Sequence, residues 1–330
     1  MQRIAVIGAG AWGTALAEML AAAGRQVRLW TRRAELAERV IASRENTDYL
    51  PGVRLSANVE ITARGADLAD ADLALLVTPA QSLGDVAGGL AEHLAPELPL
   101  LICSKGIERD SMRLMTEVAA AALPGRPLAV LSGPTFANEV ARGLPTAVTL
   151  AALDEALGRR LVETVGRPHF RPYLTDDLVG VQIGGAVKNV IAIACGIVDG
   201  RRLGENARAA LMTRGMAEMM RFGRAKGARV ETLMGLSGFG DLSLSCNSPN
   251  SRNMSLGIAL GQGGRINALL GGRRTVSEGV ATAAAIARAA GPLGLTLPIT
   301  QAVDRICNHD AEIEAEIGAL LARPFTTEGG

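Results

Sequence analysis

Short apolar runs alternate with longer amphipathic segments along the first half of the chain. The apolar runs are continuous and rich in Val, Ile and Leu, which is typical of strands that are covered on both faces. The predicted strands are residues 3–7, 26–30, 73–77, 100–103, 128–131 and 147–150. The segments between several of them predict helices at 12–23, 34–43, 83–93 and 112–123. This alternation predicts an α/β fold of the doubly wound class around a parallel sheet.

The pattern changes after about residue 176. Long segments at 179–198, 207–226, 254–260 and 280–290 favour helices, and we find no convincing strand among them. We therefore predict two domains, a doubly wound domain at 1–179 and an all-helical domain at 180–330. Ligand sites favour the cleft between such units.

Composition narrows the class of protein. The 330 residues favour two hydrophobic cores, and 48% apolar residues exclude a disordered chain. Lys and Arg number 34 against 33 Asp and Glu, so no broad field favours a nucleic-acid or anionic-membrane partner. The four cysteines lack metal-binding spacing, which predicts buried free thiols and no metal site. The first residues do not resemble a signal peptide, so we expect a cytoplasmic protein.

The apolar segment 179–198 is long enough to span a bilayer. It contains several glycines, however, and Lys188 lies near its centre. A lysine at the middle of a bilayer costs about 2.5–3.5 kcal/mol on insertion scales. We therefore expect a buried helix of a soluble protein and no stable membrane insertion, with a specific role for Lys188.

A glycine pattern follows the first predicted strand and opens the first predicted helix. Residues 8–13 read GAGAWG and match GxGxxG. In such a pattern Gly8 permits the tight turn, Gly10 lets a pyrophosphate approach the backbone, and Gly13 permits close packing of helix on strand. A bare glycine-rich turn is the alternative. The strand–turn–helix context favours a dinucleotide site, and so a Rossmann-type NAD(P)-binding domain at 1–179.

Two arginines follow the second predicted strand. An NAD-selective site usually has Asp or Glu here, whereas Arg32 and Arg33 suit the oxygens of a 2′-phosphate. This favours NADP(H) as the preferred cofactor, with NAD(H) possible. The alternative is that both are solvated charges at a helix start.

Lys188 has small neighbours on its predicted helix, namely Gly184, Gly185 and Ala192. We expect them to leave room for a ligand beside the ammonium group. Desolvation would lower the pKa of such a lysine toward neutrality, which suits a proton donor and acceptor. A structural Lys–carboxylate pair explains the same residue equally well.

Two further segments present polar groups from the helical half. The glycine-rich segment 235–240 leads to Asp241, which could orient a lysine, although the segment taken alone favours a plain turn with an exposed Asp. Ser251, Arg252 and Asn253 open a predicted helix, where Arg252 and free N–H groups could hold a phosphate. An N-cap with a surface arginine is the alternative.

In the first half, Lys105 and the segment 132–135 follow predicted strands. The carboxyl ends of parallel strands form the ligand crevice of a doubly wound sheet. Lys105 is therefore a candidate by its position rather than by its residue type.

Nine segments together resemble the bacterial NAD(P)-dependent glycerol-3-phosphate dehydrogenase family. They are GAGAWGTALA (8–17), CSKGIE (103–108), LSGPTFANEV (131–140), GLPTAV (143–148), GVQIGGAVKNVIAIACGI (180–197), LMTRGMAEM (211–219), GLSGFGDLSLSC (235–246), SRN (251–253) and VSEGV (276–280). The resemblance spans nearly the whole chain. It implies reversible hydride transfer between NAD(P)H and dihydroxyacetone phosphate, giving sn-glycerol 3-phosphate for glycerophospholipid synthesis, and a possible homodimer.

The resemblance also implies roles for individual residues. Lys188 would be the general acid and base, Lys105 would polarise the carbonyl, and Asp241 would orient Lys188. The implied substrate-binding residues are Lys105, Gly133, Thr135, Lys188, Asp241, Ser251, Arg252 and Asn253. The implied cofactor-binding residues are Gly8, Gly10, Ala11, Trp12, Gly13, Arg32, Arg33, Lys105, Ala137, Arg252, Val276 and Glu278.

The sequence departs from the family pattern at Ala11, where serine is frequent, and at Ser245, where threonine is common. Another two-domain reductase, of the 3-hydroxyacid or ketopantoate type, and a non-catalytic dinucleotide sensor are the competing hypotheses.

Overall fold

A computed structural model describes residues 1–271, 277–325 and 327, and contains one eight-stranded sheet. The strands are β1 (Arg3–Ile7), β2 (Gln26–Trp30), β3 (Val59–Thr62), β4 (Leu73–Leu76), β5 (Leu100–Ile102), β6 (Leu128–Ser132), β7 (Thr146–Ala152) and β8 (Phe170–Thr175). Their order across the sheet is β3-β2-β1-β4-β5-β6-β7-β8. Neighbouring strands are parallel, except that β6 and β7 pair antiparallel.

Helices cover both faces of this sheet and then form a separate helical part. The helices that accompany the sheet are α1 (Ala11–Ala22), α2 (Ala34–Ser43), α3 (Leu83–Gly89), α4 (Met115–Ala122), α5 (Ala137–Ala141) and α6 (Glu155–Val165). The helices that follow it are α7 (Leu178–Gly200), α8 (Glu205–Ala225), α9 (Val230–Leu233), α10 (Asp241–Cys246), α11 (Arg252–Gly261), α12 (Ile266–Gly271), α13 (Glu278–Ala290), α14 (Pro298–Asn308) and α15 (Ile313–Leu321). This arrangement confirms the predicted fold class.

The strand predictions were incomplete in two places. The two outer strands, β3 and β8, were not predicted. Each is half exposed and contains polar residues or proline, such as Glu60 and Pro172, which interrupt the apolar run. The predicted parallel sheet needs one correction, since β7 runs antiparallel to β6 whereas every other pairing in the sheet is parallel. A continuous apolar run indicates a buried strand but contains no information on its direction.

Alternate side chains of the central strands pack in two hydrophobic cores, one on each face of the sheet. In β1, Ile4 and Val6 pack in one core with α1, while Ala5 and Ile7 pack in the other with α3 and α4. A period of two in a strand produces this division. The first core holds α1 against the sheet, and so fixes the start of that helix at the carboxyl end of β1.

The central helix of the second half is α7. It packs against α8, α10, α11 and α13, and its residues form much of a third core. By length and composition α7 could span a membrane, but 94% of its most apolar window is buried inside the protein. Such burial is typical of a core helix.

Strand β8 ends at Thr175 and α7 begins at Leu178, so the predicted boundary at 179/180 falls in the first turn of α7. The two-domain division stays a prediction.

Candidate active site

The glycine pattern forms the connection between β1 and α1. Gly8 has φ of +120°, and a Cβ there would lie 2.8 Å from the carbonyl oxygen of Val77 on the neighbouring strand segment. A Cβ on Gly13 would collide with the carbonyl oxygen of Gly8, whereas one on Gly10 would meet no atom within 4 Å. Gly10 is the N-cap of α1 and supplies no side-chain cap. The first N–H groups of α1 are thus open beside free space, which fits the pyrophosphate of a dinucleotide.

The two predicted phosphate-binding arginines lie at the end of β2 and are both exposed. The Arg33 guanidinium donates to the Tyr49 hydroxyl at 3.1 Å and lies 3.8 Å from the Asp48 carboxylate. Asp48 also accepts from Arg39 at 2.7 Å. Arg32 forms no hydrogen bond or ion pair with any side chain in the described ranges, so its guanidinium is available to an anion.

Three charged side chains converge beyond the carboxyl ends of the central strands. Asp241, the first residue of α10, is 1% exposed. Its Oδ2 accepts from Lys105 Nζ at 2.6 Å, and its Oδ1 lies 3.1 Å from Lys188 Nζ. Lys105 follows β5, and its Nζ also donates to the carbonyl of Gly133, which follows β6, at 2.9 Å. Two ammonium groups and one carboxylate therefore share one site.

This cluster lies at the same edge of the sheet as the glycine turn. Strand β4 is the one strand between β1, which precedes Gly8, and β5, which precedes Lys105. Two strand spacings correspond to roughly 10 Å. The charged cluster and the glycine turn are therefore close enough for a group bound at one to meet a group bound at the other.

The surroundings of Lys188 lower the pKa of its ammonium group, so that it loses its proton more easily than an ordinary lysine. Exclusion of water is the main cause that lowers the pKa of the Lys188 ammonium, and the neighbouring Lys105 lowers it further. The Asp241 carboxylate opposes both effects. If both lysines are protonated, the three groups sum to one positive charge, which suits an oxyanion or a phosphorylated ligand.

A second polar region is formed by the start of α11. Ser251 is its N-cap and accepts from the Met254 N–H at 3.3 Å. Arg252 is exposed, yet surrounding protein excludes enough water to lower the pKa of its guanidinium, while Glu278 opposes this shift. Asn253 is buried, and its side chain bonds to Asn189 and to the Gly279 N–H. Arg252 and the first N–H groups of α11 can therefore contact an anion.

Two family models match the chain over most of its length. The model of the NAD-dependent glycerol-3-phosphate dehydrogenase N-terminus matches residues 3–158, and that of the C-terminus matches residues 177–317. The chain belongs to the NAD-dependent glycerol-3-phosphate dehydrogenase family. This confirms the resemblance that the sequence motifs indicated, and it removes the two competing hypotheses.

Individual relatives agree with this family over the full chain. A glycerol-3-phosphate dehydrogenase [NAD(P)+] of Parvibaculum lavamentivorans is 53% identical, covering 99% of this chain and 98% of its own. One of Erythrobacter litoralis is 54% identical, covering 98% and 97% respectively. The crystal structure of the Coxiella burnetii enzyme superposes with a TM-score of 0.94 at 37% identity, covering 98% of this chain and 99% of the other.

The family's implied site residues fall in three groups in this structure. The first is the cluster of Lys105, Lys188 and Asp241, with Gly133 beside it. Thr135 lies next to this cluster, and its hydroxyl donates to the carbonyl of Gly133 at 3.2 Å. The second group surrounds the glycine turn and the third surrounds the start of α11. Val276 lies outside the described residues.

The turn group consists of Gly8, Gly10, Ala11, Trp12 and Gly13, which form the turn and the first residues of α1. The indole Nε1 of Trp12 is buried and has no hydrogen-bond partner among the described residues. Ala137, the first residue of α5, packs against the same small cluster as Trp12. These residues place an open helix end and an unpaired indole donor at one location.

Glu278 connects the helical part to the sheet part. It is the first residue of α13, and its Oε1 accepts from the Ala80 N–H at 3.0 Å. Its Oε2 is buried without a partner in the described ranges. Exclusion of water raises the pKa of the Glu278 carboxyl to about 7, against the opposing effects of the Ala80 N–H and Arg252. Glu278 is thus a half-exposed acid whose charge is poorly solvated.

The expectation of free space beside Lys188 was wrong in its details. A Cβ on Gly184 would lie 2.6 Å from the Ser237 carbonyl oxygen, and a Cβ on Gly185 would lie 2.5 Å from the Ser132 hydroxyl. These glycines therefore let α7 pack closely against the loop before Asp241 and against the end of β6. They position Lys188 next to its partners, rather than leaving a cavity around its stem.

Two residues of the site were not predicted to have these contacts. Lys188 Nζ donates to the Ser245 hydroxyl at 2.7 Å, and Ser245 is 2% exposed. Since Ser245 follows Asp241 by four positions on α10, the helical period could have placed both on one face. Asn46 is fully buried and donates to the Ala9 carbonyl at 2.9 Å and to the Thr14 hydroxyl at 2.8 Å, bracing the glycine turn. No local pattern indicates that long-range contact.

The four cysteines are free and buried, as predicted. Among the described residues, no group of three or more His, Cys, Asp or Glu side chains could hold a metal ion.

Proposed function

We propose that this protein interconverts dihydroxyacetone phosphate and sn-glycerol 3-phosphate with NAD(P)H, and that Lys188 exchanges the proton at the carbinol oxygen. The observation that carries the proposal is the convergence of Lys188 and Lys105 on the buried Asp241, beside the dinucleotide edge of the sheet. Membership of the glycerol-3-phosphate dehydrogenase family specifies the substrate. A bound NAD(P)H supplies the hydride.

The chain's own groups account for the proton chemistry. The Lys188 ammonium loses its proton more readily than an ordinary lysine because burial has lowered its pKa. In the reduction it donates that proton to the oxygen of the former carbonyl, and in the oxidation the neutral amine takes it back. Lys105 stabilises negative charge on the same oxygen, and Asp241 holds both ammonium groups in place.

The substrate phosphate is assigned to the start of α11. Arg252 offers a planar fork of donors, and Ser251, Arg252 and Asn253 contribute the first helical turn with its free N–H groups. Gly133 and Thr135 lie next to Lys105. The proposed phosphate site and the proposed charged site for the carbonyl thus belong to separate elements.

We further propose a preference for NADP(H) with use of NAD(H), because Arg32 is available to a 2′-phosphate and Arg33 lies beside it. The implied role is supply of glycerol 3-phosphate for glycerophospholipid synthesis in the cytoplasm. A homodimer stays a prediction.

The experiment is a substrate panel with the purified protein, followed by NADPH and NADH absorbance. Dihydroxyacetone phosphate is compared with ketopantoate and with the free triose dihydroxyacetone. We expect efficient turnover with the phosphorylated triose alone. No oxidation of NADPH by dihydroxyacetone phosphate would reject the proposed function.

The role of Lys188 is tested with Lys188→Ala. General acid–base catalysis contributes about 10²–10⁴-fold, so kcat should fall at least a hundredfold while NADPH binding is retained. Near-normal turnover would reject this assignment and leave the overall activity standing.

A further inference from the structure

Two buried carboxamides connect three helices that each carry a proposed functional residue. Asn253 Nδ2 on α11 donates to Asn189 Oδ1 on α7 at 2.9 Å. Asn253 Oδ1 accepts from the Gly279 N–H on α13 at 3.2 Å. Asn189 and Asn253 are 5% and 7% exposed, so water competes little for these bonds. We call this chain of hydrogen bonds the carboxamide bridge.

The position of the bridge in the sequence is informative. Asn189 directly follows Lys188, Asn253 follows Arg252, and Gly279 follows Glu278. The bridge therefore joins the backbones that carry the proton donor, the phosphate-binding arginine and the acid that bonds to Ala80.

The packing around the bridge is too tight for other side chains. A Cβ on Gly279 would lie 2.7 Å from the Asn189 carbonyl oxygen and 2.9 Å from Asn253 Oδ1. Nearby, α7 and α11 approach so closely that a Cβ on Gly196 would lie 2.8 Å from the Gly257 Cα. The three helices thus meet through backbone and two carboxamides, with little freedom to shift.

The bridge also replaces a missing helix cap. Ser277 is the N-cap residue of α13 but its side chain makes no cap hydrogen bond, and its hydroxyl has no partner in the described part of the chain. The Gly279 N–H belongs to the first turn of α13, where it lacks an intrahelical acceptor. Asn253 supplies that acceptor from another helix.

We propose that Asn189 is a positioning residue, which acts through Asn253 to fix the distance between Lys188 and the phosphate-binding start of α11. This inference rests on the proposed function and assigns Asn189 a task within it. It also gives the Asn253 side chain a task besides direct contact with the phosphate, since its oxygen and one N–H are engaged within the protein.

The test compares Asn189→Ala, Asn253→Ala and the double variant in the full-length protein. Gln182→Ala is the matched control, because Gln182 is another buried carboxamide of α7 and bonds to Thr116 instead. For each variant, kcat/KM is measured with dihydroxyacetone phosphate, alongside the thermal midpoint and the stoichiometry of NADPH binding. Dihydroxyacetone, which lacks the phosphate, is the second substrate.

We expect Asn189→Ala to lower kcat/KM for dihydroxyacetone phosphate about tenfold, the amount that loss of one or two buried hydrogen bonds supports. The kcat/KM of the double variant should be no lower than that of the less active single variant, because either change breaks the same bridge. Gln182→Ala should lower the thermal midpoint about as much as Asn189→Ala does, but it should change kcat/KM less than twofold. Where dihydroxyacetone turnover is measurable, Asn189→Ala should change it much less.

Two results would overturn the bridge: fully multiplicative losses in the double variant, or an Asn189→Ala variant that matches Gln182→Ala in kcat/KM. Both require an active wild-type protein. A wild type without activity on dihydroxyacetone phosphate would instead reject the proposed function, so the two failures are distinguishable.

Discussion

Removing the charge of Asp241 while keeping its shape is the most demanding test of the site. In the variant Asp241→Asn, two ammonium groups lie beside a neutral amide. The amide keeps one acceptor oxygen, so in the same geometry it can accept from Lys105 Nζ or from Lys188 Nζ but not from both, whereas the carboxylate oxygens lie 2.6 and 3.1 Å from them. Both lysines lose the attraction of a negative charge. Because Asp241 is 1% exposed, water cannot enter freely to replace its charge.

The magnitude follows from the geometry. Opposite charges whose centres are 4 Å apart attract by about 4 kcal/mol at an effective dielectric constant of 20. The lysine side chains are 17% and 12% exposed, so screening reduces this to about 2–4 kcal/mol. The loss disfavours the charged form of Lys188 by a factor of about 30 to 1,000, since 1.4 kcal/mol corresponds to tenfold. At any given alkaline pH, the variant therefore holds the Lys188 proton much less firmly than the unchanged protein does.

We expect kcat for reduction of dihydroxyacetone phosphate to fall by up to about 30- to 1,000-fold at alkaline pH, the factor worked out above. The loss should become smaller as the pH is lowered, because acid restores the proton that the missing carboxylate no longer retains. The assay is NADPH oxidation at saturating substrate across the pH range, with NADPH binding measured separately. Loss of a buried partner also destabilises the fold, so the thermal midpoint is recorded for each variant.

The matched control is Glu218→Gln. Glu218 is also 1% exposed, but it accepts from the Ile299 N–H at 2.6 Å and from Thr300 on α14, away from the charged cluster. The Glu218→Gln variant should have a lower thermal midpoint, but the pH dependence of its kcat should be unchanged. If Asp241→Asn keeps normal turnover, or loses it equally at every pH, the electrostatic role of Asp241 is wrong.

Three further outcomes follow from the site. Arg32→Ala combined with Arg33→Ala should raise the KM for NADPH much more than that for NADH, and equal effects would reject the predicted preference. Glu278 keeps its proton up to a pKa of about 7 in the folded protein against 4.5 ordinarily, so the unfolding free energy should fall by up to about 3 kcal/mol as the pH rises from about 4.5 to about 7. Glu278→Gln should flatten that dependence in denaturant titrations of the cofactor-free protein, and an unchanged slope would contradict it. Gly13→Ala should abolish NADPH binding in fluorescence titrations, because its Cβ would collide with the Gly8 carbonyl oxygen; normal affinity would show that the turn adapts.

Local patterns predicted the elements that have a continuous apolar run or a clear helical period. Strands β1 and β2 and helix α2 were predicted with their observed bounds, because continuous apolar runs and helical periodicity are local properties. Strands β3 and β8 were missed, since an edge strand is covered on fewer sides and tolerates Pro172 and charged residues. Local patterns cannot reveal the direction in which neighbouring strands pair, so β7 was predicted as a strand but its antiparallel pairing with β6 was not.

The candidate site divides in the same way. The glycine turn, Lys188 and the start of α11 could be selected as candidates from the sequence, because residue type and spacing restrict their chemistry. The roles of Ser245 and Asn46 could not, since each depends on a partner far away in the sequence. Gly184 and Gly185 show most clearly what the sequence could not predict. Their small size was evident, but the groups that pack against them, the Ser237 carbonyl and the Ser132 hydroxyl, come from distant parts of the chain.

By itself, the sequence determined a glycine turn with the GxGxxG pattern, the two lysines and the aspartate as candidates, and the family to which the chain belongs. Only the tertiary structure decided that Asp241 lies between Lys105 and Lys188, and that a chain of carboxamides joins α7, α11 and α13. The physical reason is that backbone conformation and periodicity are set by neighbours along the chain. A charge–charge contact at 3 Å or a buried hydrogen bond is set by helices that meet only after the whole core has packed.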